Sequence, residues 1–381
     1  MPDPSRPDLE VRKEITGRLG VDLNKCYQCG GCTGVCPWGD VGRNFNPRRI
    51  LRMAQLGVGD LLSDDIWLCT TCNECVDHCP HQVDMPYIMS SVRSLSLEEA
   101  KIPIKLQEAL ESMFRLGNPW QGSVKKRTQW VGDLDVDDYE GQGVLLWVGC
   151  TPAYEDRNQE VVRSLVRVLN GVGASFGTVG NEEKCCGNSA LRLGEEGLFE
   201  ELKEDNQRVI VKSGADRIVT ISPHCYNTFK NEYDSLEAEV VHYTQYLNDV
   251  LEESDFSNEL DMVVTYKDPC YLGRKNDIYE EPRKLLERIP GLELVEMENN
   301  REQAICCGGG GGRIWAETDP DERFSNVGLE DALQSGADVL ASACPFCTIN
   351  FEDSVKTQDV EGEIEIMDVA EIVWAAMGRE E

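Results

Sequence analysis

The sequence predicts an α+β multidomain fold in which a helical, cysteine-rich N-terminal domain precedes two tandem α/β modules. Two cysteine runs near the N-terminus share one spacing, short apolar runs alternate with helical patterns after residue 143, and the two halves of that region repeat each other. Strands that alternate with helices indicate parallel-sheet modules. We therefore expect a helical domain over 1–131, a linker over 132–142, a first module over 143–258 and a second module over 259–381.

The two N-terminal cysteine runs both read C-x2-C-x2-C-x3-C-P. The first holds Cys26, Cys29, Cys32 and Cys36, and the second holds Cys69, Cys72, Cys75 and Cys79. This is the bacterial ferredoxin spacing, in which the fourth cysteine of each run binds the other cluster. We expect one cubane 4Fe–4S cluster on Cys26, Cys29, Cys32 and Cys79, and another on Cys69, Cys72, Cys75 and Cys36. A disulfide scaffold is typical of short secreted chains, and paired zinc motifs lack the third cysteine and the proline.

The spacer between these runs predicts a helix. Asn46 can cap it, Pro47 suits its first turn and Gly57 can end it. Residues 84–118 also have a helical pattern, so the domain should be more helical than a minimal ferredoxin. The Gly- and Asp-rich stretch over 132–143 is typical of a linker.

A buried strand is predicted over 144–148, with Cys150 at its end, where α/β folds place their chemistry. The elements expected to follow are a helix over 157–169, a strand over 174–179, a helix over 198–213 and a strand over 217–221. The pattern restarts with a strand over 262–266. The tetrapeptide that ends at Asp216 recurs at Asp338, which identifies two copies of one module.

Matched cysteines recur in the two modules, with one difference. The first module has Cys150, Cys185, Cys186, Ser222 and Cys225, and the second has Cys270, Cys306, Cys307, Cys344 and Cys347. A cubane needs four ligands, so a fifth thiolate suggests an unusual cluster geometry or a labile position. The run Gly308–Gly312 allows close backbone approach and N–H donation to sulfur. A zinc site, an inert cysteine pair and a vicinal disulfide are the alternatives.

Composition excludes several functions. The net charge of −32 argues against a nucleic-acid partner, because phosphates need a basic surface. The sequence has no apolar run long enough for a membrane span and no signal-peptide pattern. Abundant thiols suit a reducing compartment, so we expect a cytoplasmic protein, free or held peripherally at the inner membrane face by a partner subunit.

Other candidate site residues are polar side chains close to the cysteines in sequence. His224 and His242 are candidate proton donors. A substrate anion would need cations, and the candidates are Arg313, ranked first, then Arg274 and Lys275, with Lys184, Arg192 and Lys230 also considered. The glycine run follows a cysteine pair instead of a strand, so it fails the test for a dinucleotide site. Reducing equivalents should therefore come from a partner protein.

Together these motifs resemble the CCG-domain iron–sulfur proteins, most closely the fused D-type subunit of heterodisulfide reductase. The resemblance implies a noncubane 4Fe–4S cluster on the five cysteines of the second module, where the disulfide of coenzyme M and coenzyme B is reduced to two thiols. It implies a further iron–sulfur cluster in the first module, whose type Ser222 leaves open. The implied electron donor is a flavin-containing A-type subunit or a membrane cytochrome b subunit. The alternative function is an electron-transfer subunit that links a flavoprotein or dehydrogenase to a membrane quinone or cytochrome and has no substrate of its own.

Overall fold

The computed structural model describes residues 7–18, 22–234 and 236–378, so the extreme ends of the first and last predicted domains lie outside the described residues. The N-terminal part is helical, and two four-stranded parallel sheets follow it. This confirms the predicted fold class.

The described residues of the N-terminal part contain six α-helices: α1 (Leu9–Arg18), α2 (Gly31–Gly34), α3 (Pro47–Leu56), α4 (Glu74–Asp77), α5 (Met85–Glu98) and α6 (Ile104–Leu116). The predicted spacer helix is α3. The Asn46 side chain accepts a hydrogen bond from the Arg49 N–H at 2.9 Å, and Gly57 ends the helix with a φ of 63°. The apolar side of α3 is buried in the core, and its arginines face solvent. The single turns α2 and α4 pack together, one from each cysteine run.

The first module contains β1 (Val144–Trp147), α7 (Cys150–Tyr154), α8 (Asp156–Gly171), β2 (Phe176–Gly177), α9 (Asn188–Leu193), α10 (Glu196–Ser213), β3 (Arg217–Thr220), α11 (Pro223–Asn231), β4 (Glu239–His242) and α12 (Tyr243–Val250). The second contains β5 (Met262–Tyr266), α13 (Gly273–Asn276), α14 (Glu280–Glu287), β6 (Leu292–Val295), α15 (Phe324–Gln334), β7 (Val339–Ser342), α16 (Pro345–Thr357), β8 (Glu365–Asp368) and α17 (Val369–Met377). The strand orders, β2-β1-β3-β4 and β6-β5-β7-β8, are equivalent. The internal repeat predicted from the sequence is therefore a repeat of structure.

The two modules pack against each other in a nearly two-fold arrangement. Helix α8 contacts α17, and the equivalent pair, α14 and α12, makes the equivalent contact. One hydrophobic core runs through both interfaces and includes Leu165, Leu247, Leu285 and Val373. Because this core is shared, the modules form a single rigid support for the cysteine loops at the sheet ends.

Arg93 on α5 joins the N-terminal helices to both modules. Its side chain is fully buried, and its guanidinium donates to the carbonyl oxygens of Ile66 at 2.9 Å and Cys69 at 2.7 Å. It also donates to the Arg192 carbonyl in the first module at 2.8 Å and to the Gly311 carbonyl in the second at 3.2 Å. Burial lowers the pKa of Arg93 to about 10. A single cation thus holds three parts of the chain together.

One expectation needs correction at the edge of the first sheet. The strand expected over 174–179 is only Phe176–Gly177. Beside it, Tyr139 donates its N–H to the Thr178 carbonyl at 2.8 Å, and Thr178 donates its N–H to the Asp137 carbonyl at 3.0 Å. Backbone hydrogen bonds therefore hold part of the expected linker, 132–142, against the edge of the first sheet.

Candidate functional site

The eight N-terminal cysteines line two cavities in crossed sets. One cavity is bordered by Cys26, Cys29, Cys32, Cys75 and Cys79, and the other by Cys36, Cys69, Cys72 and Cys75. The fourth cysteine of each run therefore faces the first three of the other run, which is the grouping that the crossed assignment requires. We call the first cavity the distal site and the second the proximal site, according to their separation from the second module.

Backbone and electrostatic features of these cavities suit bound thiolates. The Gln28 N–H points at the Cys26 sulfur at 3.3 Å, and the Val83 N–H points at the Cys79 sulfur at 3.4 Å. Burial, followed by the neighbouring Cys69 and Cys72 sulfurs, raises the pKa of Cys75 well above its ordinary value. So many crowded thiols become thiolates only beside cationic metal. The donor set therefore fits iron–sulfur clusters.

All five cysteines of the second module converge. Cys306 contacts Cys270 and Cys307, and Cys347 contacts Cys307 and Cys344. Cys270 follows β5 and Cys344 follows β7, so both lie at the carboxyl ends of adjacent strands. This is the sheet position at which α/β folds bind ligands.

The proximal site adjoins the second module directly. Contact with Cys306 is the largest cause, and burial the second, of a Cys72 thiol pKa well above its ordinary value. The Thr70 hydroxyl lies 3.7 Å from the Cys306 sulfur. The glycine run makes this approach feasible. A Cβ on Gly310 would meet the Thr70 carbonyl oxygen at 2.3 Å, and one on Gly311 would meet the Cys69 carbonyl oxygen at 2.3 Å. We expected the glycine run to allow close approach of the backbone to a cluster. It also leaves the space in which the 69–71 backbone packs on the second module.

Four thiols of the first module form a continuous group. The Cys150 and Cys185 sulfurs are 3.8 Å apart, and Cys186 contacts both Cys185 and Cys225. Ser222 is the N-cap of α11, where its hydroxyl accepts a hydrogen bond from the His224 N–H at 3.3 Å. Cys344, its counterpart, makes no such cap. The serine hydroxyl is therefore engaged by the backbone, and the remaining donor set is four thiols.

Several supporting residues were missed by the sequence reasoning. Glu183 accepts hydrogen bonds from the N–H groups of Val148 and Gly149, both at 3.0 Å, and pairs with buried Arg127. This arrangement holds the loop that carries Cys150. No motif marks these residues, because they become neighbours only when the 117–131 segment packs on the first module.

Neither candidate histidine is an exposed acid. His242 is fully buried, its Nδ1 lies 2.9 Å from the Thr244 hydroxyl, and its Nε2 lies 3.0 Å from the Ile221 carbonyl oxygen. Burial lowers its pKa to about 3, so it is neutral at pH 7 and caps α12. His224 lies between the modules, with its ring 4.0 Å from that of Tyr271 and 4.6 Å from that of Phe346. Burial, and then the charges of Lys275 and Arg192, lower its pKa to about 3.

Of the anion candidates, Arg313 borders a cavity at the cysteines. A cavity of about 240 Å³ is bordered by Cys307, Arg313 and Thr70, and further by Arg323, Glu317, Glu322 and Asp353. The Arg313 guanidinium lies 5.6 Å from the Trp38 ring centroid and donates to the Glu317 carbonyl at 3.3 Å. Burial and the nearby Arg43 lower the pKa of Arg313. We call this space the Cys307 cavity.

The other cations lie elsewhere. Arg274 is buried in an ion pair with Glu74, between the N-terminal part and the second module. Lys275 stacks on Tyr271 at 4.7 Å, and burial followed by the charge of Arg192 lowers its pKa to about 8. The remaining three are engaged internally: Lys184 with Asp205, Arg192 with Glu232 and Lys230 with the Tyr226 hydroxyl.

Within 7–18, 22–234 and 236–378, no three His, Cys, Asp or Glu side chains group as a site for a single metal ion. None of the helices in the described part of the chain has both the length and the apolar character that a membrane crossing requires.

The parts of the chain that carry these sites match known family models. Residues 22–83 match a 4Fe-4S dicluster domain, and residues 144–230 and 264–352 each match the CCG cysteine-rich domain. The three matches cover the distal and proximal sites and both module sites. The chain is therefore built from iron–sulfur-type domains.

Curated relatives cover nearly the whole chain. A probable iron-sulfur-binding oxidoreductase FadF of Bacillus subtilis is 34% identical over 93% of this chain, and an EtfAB:quinone oxidoreductase of Syntrophomonas wolfei is 32% identical over 94%. The chain spans only 59% and 58% of those two proteins. The D-type subunit of the dihydromethanophenazine:CoB–CoM heterodisulfide reductase of Methanosarcina barkeri is 30% identical, with 98% of both chains covered.

A solved structure supports the fold alone. The crystal structure of a hypothetical protein from Helicobacter pylori aligns with 98% of this chain and 74% of its own, with a TM-score of 0.53 and 11% identity.

Proposed function

We propose that this chain, which belongs to the CCG-domain iron–sulfur oxidoreductase family that includes the D-type subunit of heterodisulfide reductase, reduces a disulfide to two thiols at its second module. The contact between Cys72 of the proximal site and Cys306 of the second module carries this proposal. It makes the second module the end of a continuous series of thiol sites.

The proposed ligands follow the thiol groups described above. Cubane 4Fe–4S clusters would occupy the distal and proximal sites, and a noncubane 4Fe–4S cluster would take the five cysteines of the second module. When bound, such clusters supply one-electron transfer. The first module would hold a further cluster on Cys150, Cys185, Cys186 and Cys225, with Ser222 as a helix cap.

The order of the sites along the fold supports one direction of electron flow. Cys75 borders both the distal and the proximal cavity, and Cys72 of the proximal site contacts Cys306. Electrons entering at the distal site would therefore reach the second module through the proximal site. The donor would be a partner protein, either a flavin-containing subunit or a membrane cytochrome b subunit.

The Cys307 cavity is the proposed substrate site. Reduction of a disulfide consumes two electrons and two protons and yields two thiols, so the substrate sulfur must reach the cysteines of the second module. Cys307 and Arg313 both border this cavity. We propose Arg313 as the group that binds a substrate anion, such as the sulfonate or phosphate of the coenzyme M–coenzyme B disulfide.

The test is an anaerobic assay of the cluster-loaded chain with reduced methyl viologen and the coenzyme M–coenzyme B disulfide. We expect turnover that is lost in Cys307→Ser and persists in Cys186→Ser, the equivalent substitution in the first module. Iron content and dye-reducible absorbance are measured for each variant. Equal loss in both variants at equal iron content would contradict a substrate site confined to the second module.

A second function is favoured by two observations. The chain is more similar to the EtfAB:quinone oxidoreductase than to the Methanosarcina barkeri reductase, at 32% against 30% identity. The Cys307 cavity also carries three carboxylates beside two arginines, a poor match for a polyanionic disulfide. In this function the chain passes electrons between a flavoprotein and a membrane quinone and has no substrate of its own. Full iron loading and dye-reducible clusters without disulfide turnover would support it.

A further inference from the structure

One side of the distal site, formed by residues 22–56, has a charge opposite to that of the whole chain. The chain has 37 basic and 69 acidic residues, yet residues 22–56 contain five basic and two acidic ones. Four of the five, Lys25, Arg48, Arg49 and Arg52, are exposed, and we call them the basic surface. A net positive region on a protein of net charge −32 is a local feature that the overall composition does not produce.

The basic surface is attached to the distal site by direct contacts. Arg48 borders the distal cavity, and its guanidinium lies over Gly30, within 3.5 Å of where a Cβ would stand. Arg52 donates to the Gln55 side chain at 3.2 Å, and Gln55 in turn donates to the Cys26 carbonyl at 3.0 Å. Arg48 therefore lies at the cavity, and Arg52 is linked to the backbone of Cys26 through Gln55.

The distal site is also the most exposed of the thiol groups. Cys29 is exposed, and Tyr27 beside it is 61% exposed, with its ring 4.8 Å from that of His81. The proximal site, by contrast, is enclosed between the N-terminal helices and the second module. Among the described thiol groups, the distal site is therefore the one that a partner passing electrons into this chain can approach most closely.

Arg48 and Arg52 are available to a partner, because neither forms an ion pair with a carboxylate among the described residues. They lie four residues apart and therefore on the same face of α3. The apolar residues of that helix, Ile50, Leu51 and Ala54, are buried in the core. The exposed face of α3 thus offers charge without the apolar side chains that insert into a lipid surface.

We infer that the basic surface is the docking site for an acidic electron-donor protein. This rests on the proposed function, because it assumes that electrons enter at the distal site. Long-range attraction between a basic surface and an acidic partner accelerates association by roughly 10- to 1,000-fold, and salt weakens it. The same charges would steer the donor to Cys29 and away from the acidic remainder of the chain.

The test uses the full cluster-loaded chain and a flavodoxin hydroquinone, an acidic one-electron donor that becomes the semiquinone as a cluster is reduced. Semiquinone formation is followed by anaerobic stopped flow over a series of salt concentrations. The variants are R48E/R52E, the charge-retaining R48K/R52K, and K125E/K126E, which makes the same charge change on an exposed turn elsewhere. Each rate is divided by the same variant's dye-reducible absorbance, so that the loss of a cluster cancels.

We expect R48E/R52E to lower the normalised rate constant at least about tenfold at low salt and to abolish its salt dependence, with the other two variants near wild type. An unchanged rate in R48E/R52E, or an equal decrease in K125E/K126E, would overturn the inference. Flotation of the wild type, but not R48E/R52E, with phosphatidylserine vesicles at an unchanged flavodoxin rate would instead assign the surface to a membrane. A protein without dye-reducible absorbance would contradict the proposed function, a different result from any of these.

Discussion

Replacing Arg93 by methionine tests whether one buried cation holds the N-terminal helices to both modules. The substitution keeps an apolar stem but removes four hydrogen bonds to carbonyl oxygens. The Arg192 carbonyl keeps a contact with the Ser90 hydroxyl at 3.4 Å, and the bond to Gly311 is long at 3.2 Å. The carbonyls of Ile66 and Cys69 would lose the short bonds of 2.9 and 2.7 Å.

The magnitude follows from those two carbonyls. An unpaired buried polar group costs about 1–3 kcal/mol, or roughly 2–6 kcal/mol for the pair. Removing a buried charge offsets part of this, because burial already lowers the pKa of Arg93 to about 10. We therefore expect Arg93→Met to lower the free energy of unfolding by about 2–4 kcal/mol.

The assay is anaerobic urea unfolding of the cluster-loaded protein, followed by tryptophan fluorescence and by visible absorbance. Arg93→Lys keeps the charge but not all four bonds, so it should lie between wild type and methionine. Arg115→Met, at an exposed arginine on α6, is the matched control. The reasoning fails if Arg93→Met unfolds within about 0.5 kcal/mol of the Arg115 control, the range expected for a surface substitution.

Three further predictions follow from single contacts. Gly310→Ala should push the 69–71 backbone away from the second module, because the new Cβ would lie 2.3 Å from the Thr70 carbonyl oxygen. We expect this substitution to destabilise the protein by about 1–3 kcal/mol in thermal unfolding. Gly197→Ala on α10 is the control and should not destabilise it, because no atom lies closer than 3.6 Å to that Cβ. Ser222→Ala should cost about 0.5–2 kcal/mol while iron content stays constant; a loss of iron would make the hydroxyl a ligand instead of a cap. Burial raises the pKa of Asp368 to about 7 from the ordinary value near 4, so between these pH values the folded state binds a proton that the unfolded state does not. The stability that this proton contributes is complete below about pH 4 and is lost as the pH rises through 7, with a slope near 1.4 kcal/mol per pH unit. Asp368→Asn should remove that slope from the free energy of unfolding measured with urea at several pH values.

The sequence was sufficient for the parts of the fold that depend on local spacing. The cap at Asn46 and the stop at Gly57 predicted α3, and the matched cysteines predicted two equivalent modules. The crossed assignment of the N-terminal cysteines came from the ferredoxin spacing, and these cysteines line the two cavities in the same crossed sets.

What the sequence could not supply depends on contacts between distant segments. The role of Gly310 and Gly311 in admitting the 69–71 backbone requires the position of the N-terminal part on the second module. The pairing of Arg274 with Glu74 is of the same kind, and it explains why a cation close to Cys270 in sequence lies away from the Cys307 cavity. His242 looked like a proton donor from its chemistry alone, whereas its two ring contacts make it a helix cap.

The N-terminal helices lie across the near two-fold relation between the modules, and this position has a consequence for how the duplicated halves can diverge. On one side they meet the glycine run, and on the other they meet α9 and Gly194, where a Cβ would approach the Ser94 nitrogen at 2.4 Å. The N-terminal helices have no internal symmetry, so they cannot pack on two identical surfaces at the same time. The halves must therefore have accumulated different side chains at matching positions, and exchanging them by recombination would destroy both contact surfaces although each half kept its own fold.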